Sequence, residues 1–504
     1  MHRTLARGSD TPSLKGPQTF RFETIGSRAR ADAQGLWYTL PMDRDAEQLE
    51  RLGYAQQLLR DMGGFSSFAL SFSVISILTG AVTLYGQGLS YGGPFTMSAG
   101  WPLVTLLTLP IAASLAQLAS SYPTAGALYH WSAFLGGRGA GYATAWLNVI
   151  GQFAITAGID YGLAEFLAAL FGLPAGRAPV LALFLLLLGS HALLNHLGVR
   201  VVARLNDLSA WVHIGGVAAI LAALAWLAPH QPASFLLERF TTLDKPYGTA
   251  FALSLLQASW TFTGYDASAH VSEETRDPTR NAPWAIFLSV VVSGVVGYAL
   301  LLAVTLSIGD LRLAATAGNP FVFVLRTALG ARLGNALVVT AMAAMWFCGL
   351  SSVTSNSRML FAFARDGGTP FSETLALVSD RYRTPHVAVW VSAGCAFVVA
   401  LWSSAYTAMV ALSTIALYAS YGLPIACGLL ARRSGKWRAF GPWDLGRFSP
   451  LVNVLALLWI AAATVLFVLP PNQLAGFTFA GCLAAIGIDW RLRMRQRFEG
   501  PAAL

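Results

Sequence analysis

The sequence predicts an all-α protein that crosses a membrane many times. Three observations carry this. Charged residues make up 11% of the 504 and hydrophobic ones 55%, whereas about a quarter of a soluble protein is charged. Mean hydropathy is +0.56. The apolar residues also gather into twelve runs, most of them near the ~20 residues that a helix needs to cross a bilayer core. So few charges cannot cover a soluble surface, so lipid must face most of the apolar one.

In chain order the runs, α1 to α12, are 65–90, 94–119, 141–170, 179–197, 208–228, 249–272, 282–308, 333–363, 385–402, 405–430, 450–469 and 473–490. Arg326 and Arg332 divide the apolar stretch that leads into α8. The expected organisation is a tail over 1–64, five helices over 65–228, five more over 249–430, two over 450–490 and a second tail over 491–504. Residues 1–35 are polar and expected to be poorly ordered, and the polar first ~60 residues do not read as a cleavable signal. Residues 43–60 (DRDAEQLERLGYAQQLLR) fit a short amphipathic helix with Leu49, Leu52, Leu58 and Leu59 on its apolar side. That pattern suits a helix on the membrane surface and a solvated one equally. The segment 120–137 (SSYPTAGALYHWSAFLGG) is too polar to span and too aromatic for a plain linker, so an interfacial helix is expected from near Thr124.

Basic residues set the orientation. With the N-terminus in the cytoplasm, 27 of the 33 lysines and arginines fall in cytoplasmic segments and 6 outside, as the positive-inside rule requires. Both termini are therefore expected in the cytoplasm, with the chain in the plasma or inner cell membrane. The net charge of +9 is spread over these loops, which argues against a nucleic-acid partner. Cys348, Cys395, Cys427 and Cys482 all lie inside apolar runs without CxxC spacing and are read as core thiols, neither disulfides nor metal ligands.

Two runs carry glycine and polar residues where a lipid-facing helix should not. In α1 the stretch is Ser71-Phe72-Ser73-Val74-Ile75-Ser76-Ile77-Leu78-Thr79-Gly80, and in α6 it is Trp260-Thr261-Phe262-Thr263-Gly264-Tyr265-Asp266-Ala267-Ser268-Ala269-His270. Each opens one of the two groups of five helices. Matched interruptions of this kind mark substrate sites in inverted-repeat transporters, because broken helices expose backbone groups at the bilayer midplane. Freed N–H groups at a half-helix start suit a carboxylate, and freed carbonyls suit an ammonium group. Glycines that merely let helices pack closely are the alternative.

These residues resemble a family. LGYAQQL (52–58), SVISILTG (73–80), YPTAGALYHW (122–131), SWTFTGYDASAHVSEETRDPTRNAP (259–283) and SNSRMLFAFARDGGTP (355–370) are similar to the amino acid–polyamine–organocation superfamily, in the amino acid/choline branch that includes GABA and choline permeases. The resemblance covers about residues 50–490. It implies a 5+5 inverted repeat plus two helices, with α1 and α6 broken. It implies a substrate carboxylate against Leu78, Thr79 and Gly80, with Ser76 in the same turn. The amino group would face carbonyls near Ile75, Trp260 and Thr263, beside Gly264 and Asp266, with Trp260 or Phe262 as an aromatic gate. Two departures matter. Many relatives have Gly-Ser-Gly where this chain has Leu78-Thr79-Gly80, and α8 carries Ser351, Ser352 and Thr354 where some place a tryptophan.

Ionisable groups inside a membrane helix are functional candidates. Asp266 and His270 are four residues apart and share a helix face. They suit a proton-titrating pair or a fixed polar contact that holds the break. His213, nine residues after Arg204, resembles the position of a lysine that replaces sodium in some relatives; a neutral core histidine fits equally. Helix-8 hydroxyls at Ser351, Ser352, Thr354 and Ser355 keep sodium open. Asp160 and Glu165 suit an entrance or a local pair, and Asn148 and Gln152 suit the site lining or interhelical bonds. Glu273, Glu274 and Arg358 suit an inner gate or solvated helix ends.

The expectation is a secondary transporter of amino acids or related zwitterions such as GABA, without an organic cofactor and coupled to protons. A cationic-amine (choline or polyamine) carrier, an exchanger and a non-transporting sensor are the alternatives. Gly88-Leu89-Ser90-Tyr91-Gly92 fits the hydrolase pattern G-x-S-x-G, but it falls at the end of a membrane helix and not on a strand–turn–helix. There is also no HExxH and no phosphate-binding GxxxxGK[ST], so an enzyme is not expected.

Overall fold

The computed structural model describes residues 44–174, 176–402 and 406–502. The expected polar lead over 1–35 lies outside the described residues, as does the short link 403–405 between α9 and α10. All twelve expected segments are helical. α1 runs in three pieces, Gly64–Ile75, Ile77–Thr83 and Tyr85–Gly92. α2 is Trp101–Ser121, entered through a wider turn at Thr96–Gly100. α3 is Arg138–Leu170, α4 Arg177–His196 and α5 Val199–Leu227. α6 is again in pieces, Tyr247–Ser254, Leu256–Thr261 and Ala267–His270. α7 is Pro278–Leu306, α8 Pro320–Arg365 and α9 His386–Trp402. α10 is Tyr406–Arg433, α11 Ser449–Val468 and α12 Gln473–Asp489. Among the described residues, ten helices are long and apolar enough to cross a membrane. The other two segments are the interrupted α6 and the 17-residue α9.

Three local differences from the sequence reading have physical causes. α8 starts earlier than residue 333, because Asn319 caps it by accepting the Val322 N–H at 3.1 Å and Pro320 sits in its first turn. Gly330, at φ 79° and ψ 160°, then kinks it between Arg326 and Arg332. The amphipathic segment is helical only over Arg44–Arg51; the chain turns at Gly53 (φ 87°) and continues as a strap. The strap ends at residues 61–62, where the Asp61 and Met62 N–H groups donate to the Glu274 carbonyl. The helix after α2 covers Leu128–Gly136, four residues later than expected, because Ala127 holds a left-handed backbone at φ 41°.

α1, α2, α6 and α7 pack on one another as one group, and α3, α4, α8 and α9 as another. α5 lies against α1 and α8, while α10 runs along α3 and α11. Large apolar side chains such as Leu106, Leu186, Trp226, Leu458 and Phe477 stand exposed on the outside of these groups. Lipid covers such a surface without cost, whereas water would not.

Two glycines permit the breaks to meet. A Cβ on Gly80 would stand 2.4 Å from Thr261 Oγ1 and 2.9 Å from the Thr261 Cα, so α1 and α6 cross in backbone contact there. Gly264 has φ +82°, and a Cβ there would lie 2.2 Å from Val74 Cγ1. Gly80→Ala is expected to cost about 1–3 kcal/mol through overpacking. Gly264→Ala adds about 1–2 kcal/mol of left-handed backbone strain to a similar clash. Thermal unfolding of the purified protein should rank both variants below wild type, with Gly264→Ala the lower. Thr261→Ala should relieve Gly80→Ala only in part, since the Thr261 Cα remains.

Candidate functional site

The α1 break falls at Ser76, which holds a left-handed backbone at φ 34°. A helix ending at Ile75 leaves its last carbonyls without helical partners, and one starting at Ile77 leaves its first N–H groups so. Thr79 and Gly80 both donate their N–H to the Ser76 carbonyl at 2.9 Å. The donors that helix geometry leaves over in this turn are therefore those of Ile77 and Leu78. Among the carbonyls, that of Val74 accepts from Cys348 Sγ at 3.3 Å.

Neighbouring side chains hold the α6 break. The Gly264 N–H donates to the Tyr421 hydroxyl at 3.0 Å, and that hydroxyl donates to Asp266 Oδ1 at 2.8 Å. Ser71 donates to the Tyr265 carbonyl at 2.8 Å and accepts the Ser268 N–H at 2.9 Å, which ties α1 to the lower piece of α6. Thr263 turns back to donate to the Trp260 carbonyl at 2.6 Å. Every buried backbone group engaged in this way is one that lipid could not have satisfied.

Between the breaks lies a cavity of about 10 Å³ lined by Val74, Ile75, Thr79, Gly80, Ile155, Ile159, Trp260, Thr261 and Cys348. Such a space holds about one water at most, so the site is closed around itself. Of the sequence candidates, Ile75, Thr79, Gly80 and Trp260 line it. Phe262 does not; its ring packs on Trp101 at 4.9 Å between centroids. Ser76, Leu78, Thr263, Gly264 and Asp266 stand behind the lining. The Trp260 indole donates to Ser413 at 3.0 Å and meets the Tyr406 ring edge-on at 6.3 Å. On the far side of that contact opens a cavity of about 960 Å³, whose walls include Tyr406, Tyr161, Glu165, Arg177 and Arg326. It lies at the end where α3 finishes and α4 begins, the end that the arginine count leads one to expect outside. The Trp260–Tyr406 contact separates the two spaces.

The ionisable candidates fall into two clusters beside the cavity. His270 sets Nδ1 at 3.0 Å from the Ala125 carbonyl and Nε2 at 3.2 Å from Asp266 Oδ2. A carbonyl can only accept, so Nδ1 carries a proton, and the contact between Nε2 and the carboxylate then needs a second one. Asn148 donates to the same Oδ2 at 3.3 Å. His213 donates from Nδ1 to the Ser209 carbonyl at 2.8 Å, leaving Nε2 to accept from the Ser76 hydroxyl at 2.7 Å. Ser76 lies 2.5 Å from Thr79 Oγ1, so hydroxyls join His213 to the cavity wall. The α8 hydroxyls pair otherwise: Ser351 with Asn206, Ser352 with Thr156, Thr354 with Asn195 and Ser355 with Gln152.

Comparison with known proteins decides the family. A family model described as amino acid permease matches residues 62–484. The amino-acid permease BAT1 homolog of Oryza sativa subsp. japonica is 35% identical, over 91% of this chain and 96% of its own length. Amino-acid permease BAT1 of Arabidopsis thaliana is likewise 35% identical over 91% and 96%, and amino-acid permease 2 of Neurospora crassa 27% over 90% and 88%. The chain belongs to the amino acid permease family. It is a multi-pass membrane transporter, not an enzyme, and its substrate class is amino acids.

The opposite end of the permease, where α1 begins, is shut by charge pairs. Arg358 of α8 is fully buried and grips Glu274 with two hydrogen bonds of 2.9 Å. Arg365 does the same to buried Glu273 at 3.0 and 2.8 Å. Of the two readings open for these residues, solvated helix ends is the one the burial overturns. Around them Asp366 Oδ2 accepts from Tyr54 and Tyr129 at 2.8 Å and from His130 Nε2 at 3.0 Å. The Arg365 guanidinium lies 4.0 Å over the Tyr54 ring, so the strap is part of the closure. Tyr54 and Tyr421 were not singled out in the sequence, where each is one aromatic residue among many; Ser71 entered only as the first residue of the interrupted α1 stretch and Cys348 only as a core thiol, and Arg365 stood in the segment 355–370 without a partner.

Removing one member of a buried pair leaves the other uncompensated, at about 3–5 kcal/mol. Arg358→Met alone should therefore lower thermal stability sharply, and the double variant Arg358→Met/Glu274→Leu should recover most of the loss. Burial pushes the Glu273 carboxyl up, but Arg365 and the Ala125 N–H outweigh it and hold it below the ordinary range. Burial acts likewise on Asp366, where His130, Arg365 and Tyr54 bring it down. Burial lowers His130 against the pull of Asp366. All three bind protons less readily here than in an unfolded chain, so their stabilising effect is complete above the unfolded histidine range and fades on acidification. Melting temperature should fall from about pH 7 to about pH 5, and His130→Gln should flatten the upper part of that fall.

Proposed function

We propose that the permease is a proton-coupled secondary transporter of amino acids or related small zwitterions, GABA among them, working by alternating access in the cell membrane with both termini cytoplasmic. The observation that carries this reading is the asymmetry about the α1 and α6 breaks. A wide cavity reaches Tyr406, which packs on Trp260, from one end, while buried ion pairs close the other. Transport then needs Trp260 to move aside, the small cavity to expand around substrate, and the pairs to part as the group of α1, α2, α6 and α7 rocks against α3, α4, α8 and α9.

In the expanded site the Ile77 and Leu78 N–H groups, with the Thr79 hydroxyl, receive the carboxylate at the positive end of a half-helix. Carbonyls at the end of the first α1 piece, including that of Ile75, receive the ammonium group. Two proton carriers adjoin this site. The Asp266–His270 pair fixes the α6 break through Tyr421, so a change in its charge bears on the backbone that binds substrate. His213 reaches the α1 break through Ser76. A cationic amine held by Asp266 itself is supported less well, since both carboxylate oxygens already accept hydrogen bonds and neither lines the cavity.

Uptake into proteoliposomes of labelled GABA, alanine, glutamate, arginine, choline and putrescine, in sodium-free buffer with and without an inward proton gradient, tests the reading. Gradient-driven accumulation of a zwitterion is the expected result, with Asp266→Asn still transporting but no longer following the gradient. Uptake only into vesicles preloaded with amino acid would mean exchange instead, and uptake of choline or putrescine alone would mean a cation carrier.

A further inference from the structure

A second acid–base pair lies on the far side of α8 from the breaks. Asp160 of α3 and His191 of α4 are both fully buried, with Oδ2 3.0 Å from Nδ1. Their remaining polar atoms, Asp160 Oδ1 and His191 Nε2, have no hydrogen-bond partner among the described residues. The indole of Trp346 packs on the histidine ring at 5.1 Å between centroids. A carboxylate so placed, with a neutral imidazole beside it, carries a net charge of −1 in a low-dielectric interior and half of its bonding capacity unused. One added proton, on either partner, brings the pair to zero. Charge burial of that kind is costly in a membrane and marks proton-binding positions.

The pair is placed to feel the substrate site. Cys348 of α8 lines the small cavity and bonds to the Val74 carbonyl at the α1 break. The next residue, Gly349, faces the other way: a Cβ there would stand 2.0 Å from Asp160 Oδ1 and 2.6 Å from His191 Cε1. One turn of α8 is therefore wedged between the break and the pair, with no side chain between the pair and the helix backbone. Tyr161 and Gly162, next along α3, and Met342, two turns outward on α8, line the outer cavity, which gives protons a short approach. The surroundings hold few competing charges. The Asp160 charge acts on Cys348 of α8. Cys395 is the titratable group on α9 between Val387 and Trp402, and α10 contributes tyrosines but no charge from Tyr406 to Ala431. Glu165 lies five residues outward on α3 and His196 five inward on α4; on α5, which packs on α4 and α8, Asp207 is titratable and His213 bonds to Ser76 of α1.

We propose that Asp160 and His191 form a proton-binding site of the permease, on the scaffold helices behind α8, that loads one proton from the outer cavity and couples its release to movement of α8. This rests on the proton-coupled reading and adds to it a site remote from the substrate. Loading turns the carboxylate–imidazole pair into a carboxylic acid beside a neutral imidazole. That change alters the charge and shape pressed against Gly349.

Infrared difference spectra of the lipid-reconstituted protein, recorded while pH is lowered, read the site directly. A protonated-carboxyl band is expected that Asp160→Asn abolishes, His191→Gln shifts in pH midpoint and Asp266→Asn leaves in place. In the same preparations, gradient-driven uptake by Asp160→Asn should drop to its level at equal pH on both sides; counterflow against unlabelled amino acid reports that the variant is folded and carries substrate. A spectrum for Asp160→Asn identical to wild type, or undiminished gradient dependence, overturns the proposal. If Asp160→Asn does not fold, His191→Gln decides, and an unshifted midpoint rejects the site. Wild type that accumulates nothing under a gradient rejects the proton-coupled reading itself. An Asp160 band that still titrates in that case upholds the proton site, and its absence rejects that as well.

Discussion

Two interruptions in helices that cross lipid govern the rest of this structure. A broken helix in a bilayer strands N–H and C=O groups that no solvent can satisfy, and each costs several kcal/mol if left alone. The chain meets this at each break with a side chain from another helix. Tyr421 from α10 takes the Gly264 N–H, Ser71 from α1 bridges Tyr265 and Ser268, and Cys348 from α8 takes the Val74 carbonyl. Each stitch reaches a different neighbour, so the breaks are held by the packing of the whole bundle. The groups left over, at Ile77 and Leu78 and at the end of the first α1 piece, are those proposed to meet a ligand that carries both charges.

The same arrangement makes ionisable residues useful. Asp266 accepts from Tyr421, the hydroxyl that holds Gly264, and His213 accepts from Ser76, the residue at the α1 break. Under the proposed proton coupling, a proton gained or lost at either place would act on backbone geometry through one intervening hydroxyl. At the closed end the chemistry is of another kind. Arginines on α8 clamp carboxylates that follow α6, and these pairs join the two groups of helices whose separation would open the site. Buried pairs of this kind contribute little net stability when whole and are costly when parted by truncation. That suits a closure which has to form and release as a unit.

Much of the fold was legible because a bilayer imposes a simple rule on sequence. Apolar runs of about 20 residues must be helices, and all twelve expected segments are helical. The matched positions of Ser76–Gly80 and Thr263–Asp266 drew attention for the same reason, since glycine and hydroxyl residues have no business facing lipid. The i, i+4 spacing put Asp266 and His270 in reach of each other. Boundaries were less legible where a single backbone angle decides them, as at Ala127, Gly330 and Gly53.

What sequence determined by itself, then, is which segments are apolar helices, which of them break, and which polar residues lie within them, because lipid makes each of these a property of local composition. What only the tertiary structure decided is pairing. Nothing in the chain links Tyr421 to Gly264, His213 to Ser76, Asp160 to His191 or Arg358 to Glu274, which lie 31 to 157 residues apart. Those contacts follow from how α3, α4, α5, α8 and α10 are set around the breaks, and helix packing is a property of facing surfaces that no single run of residues contains.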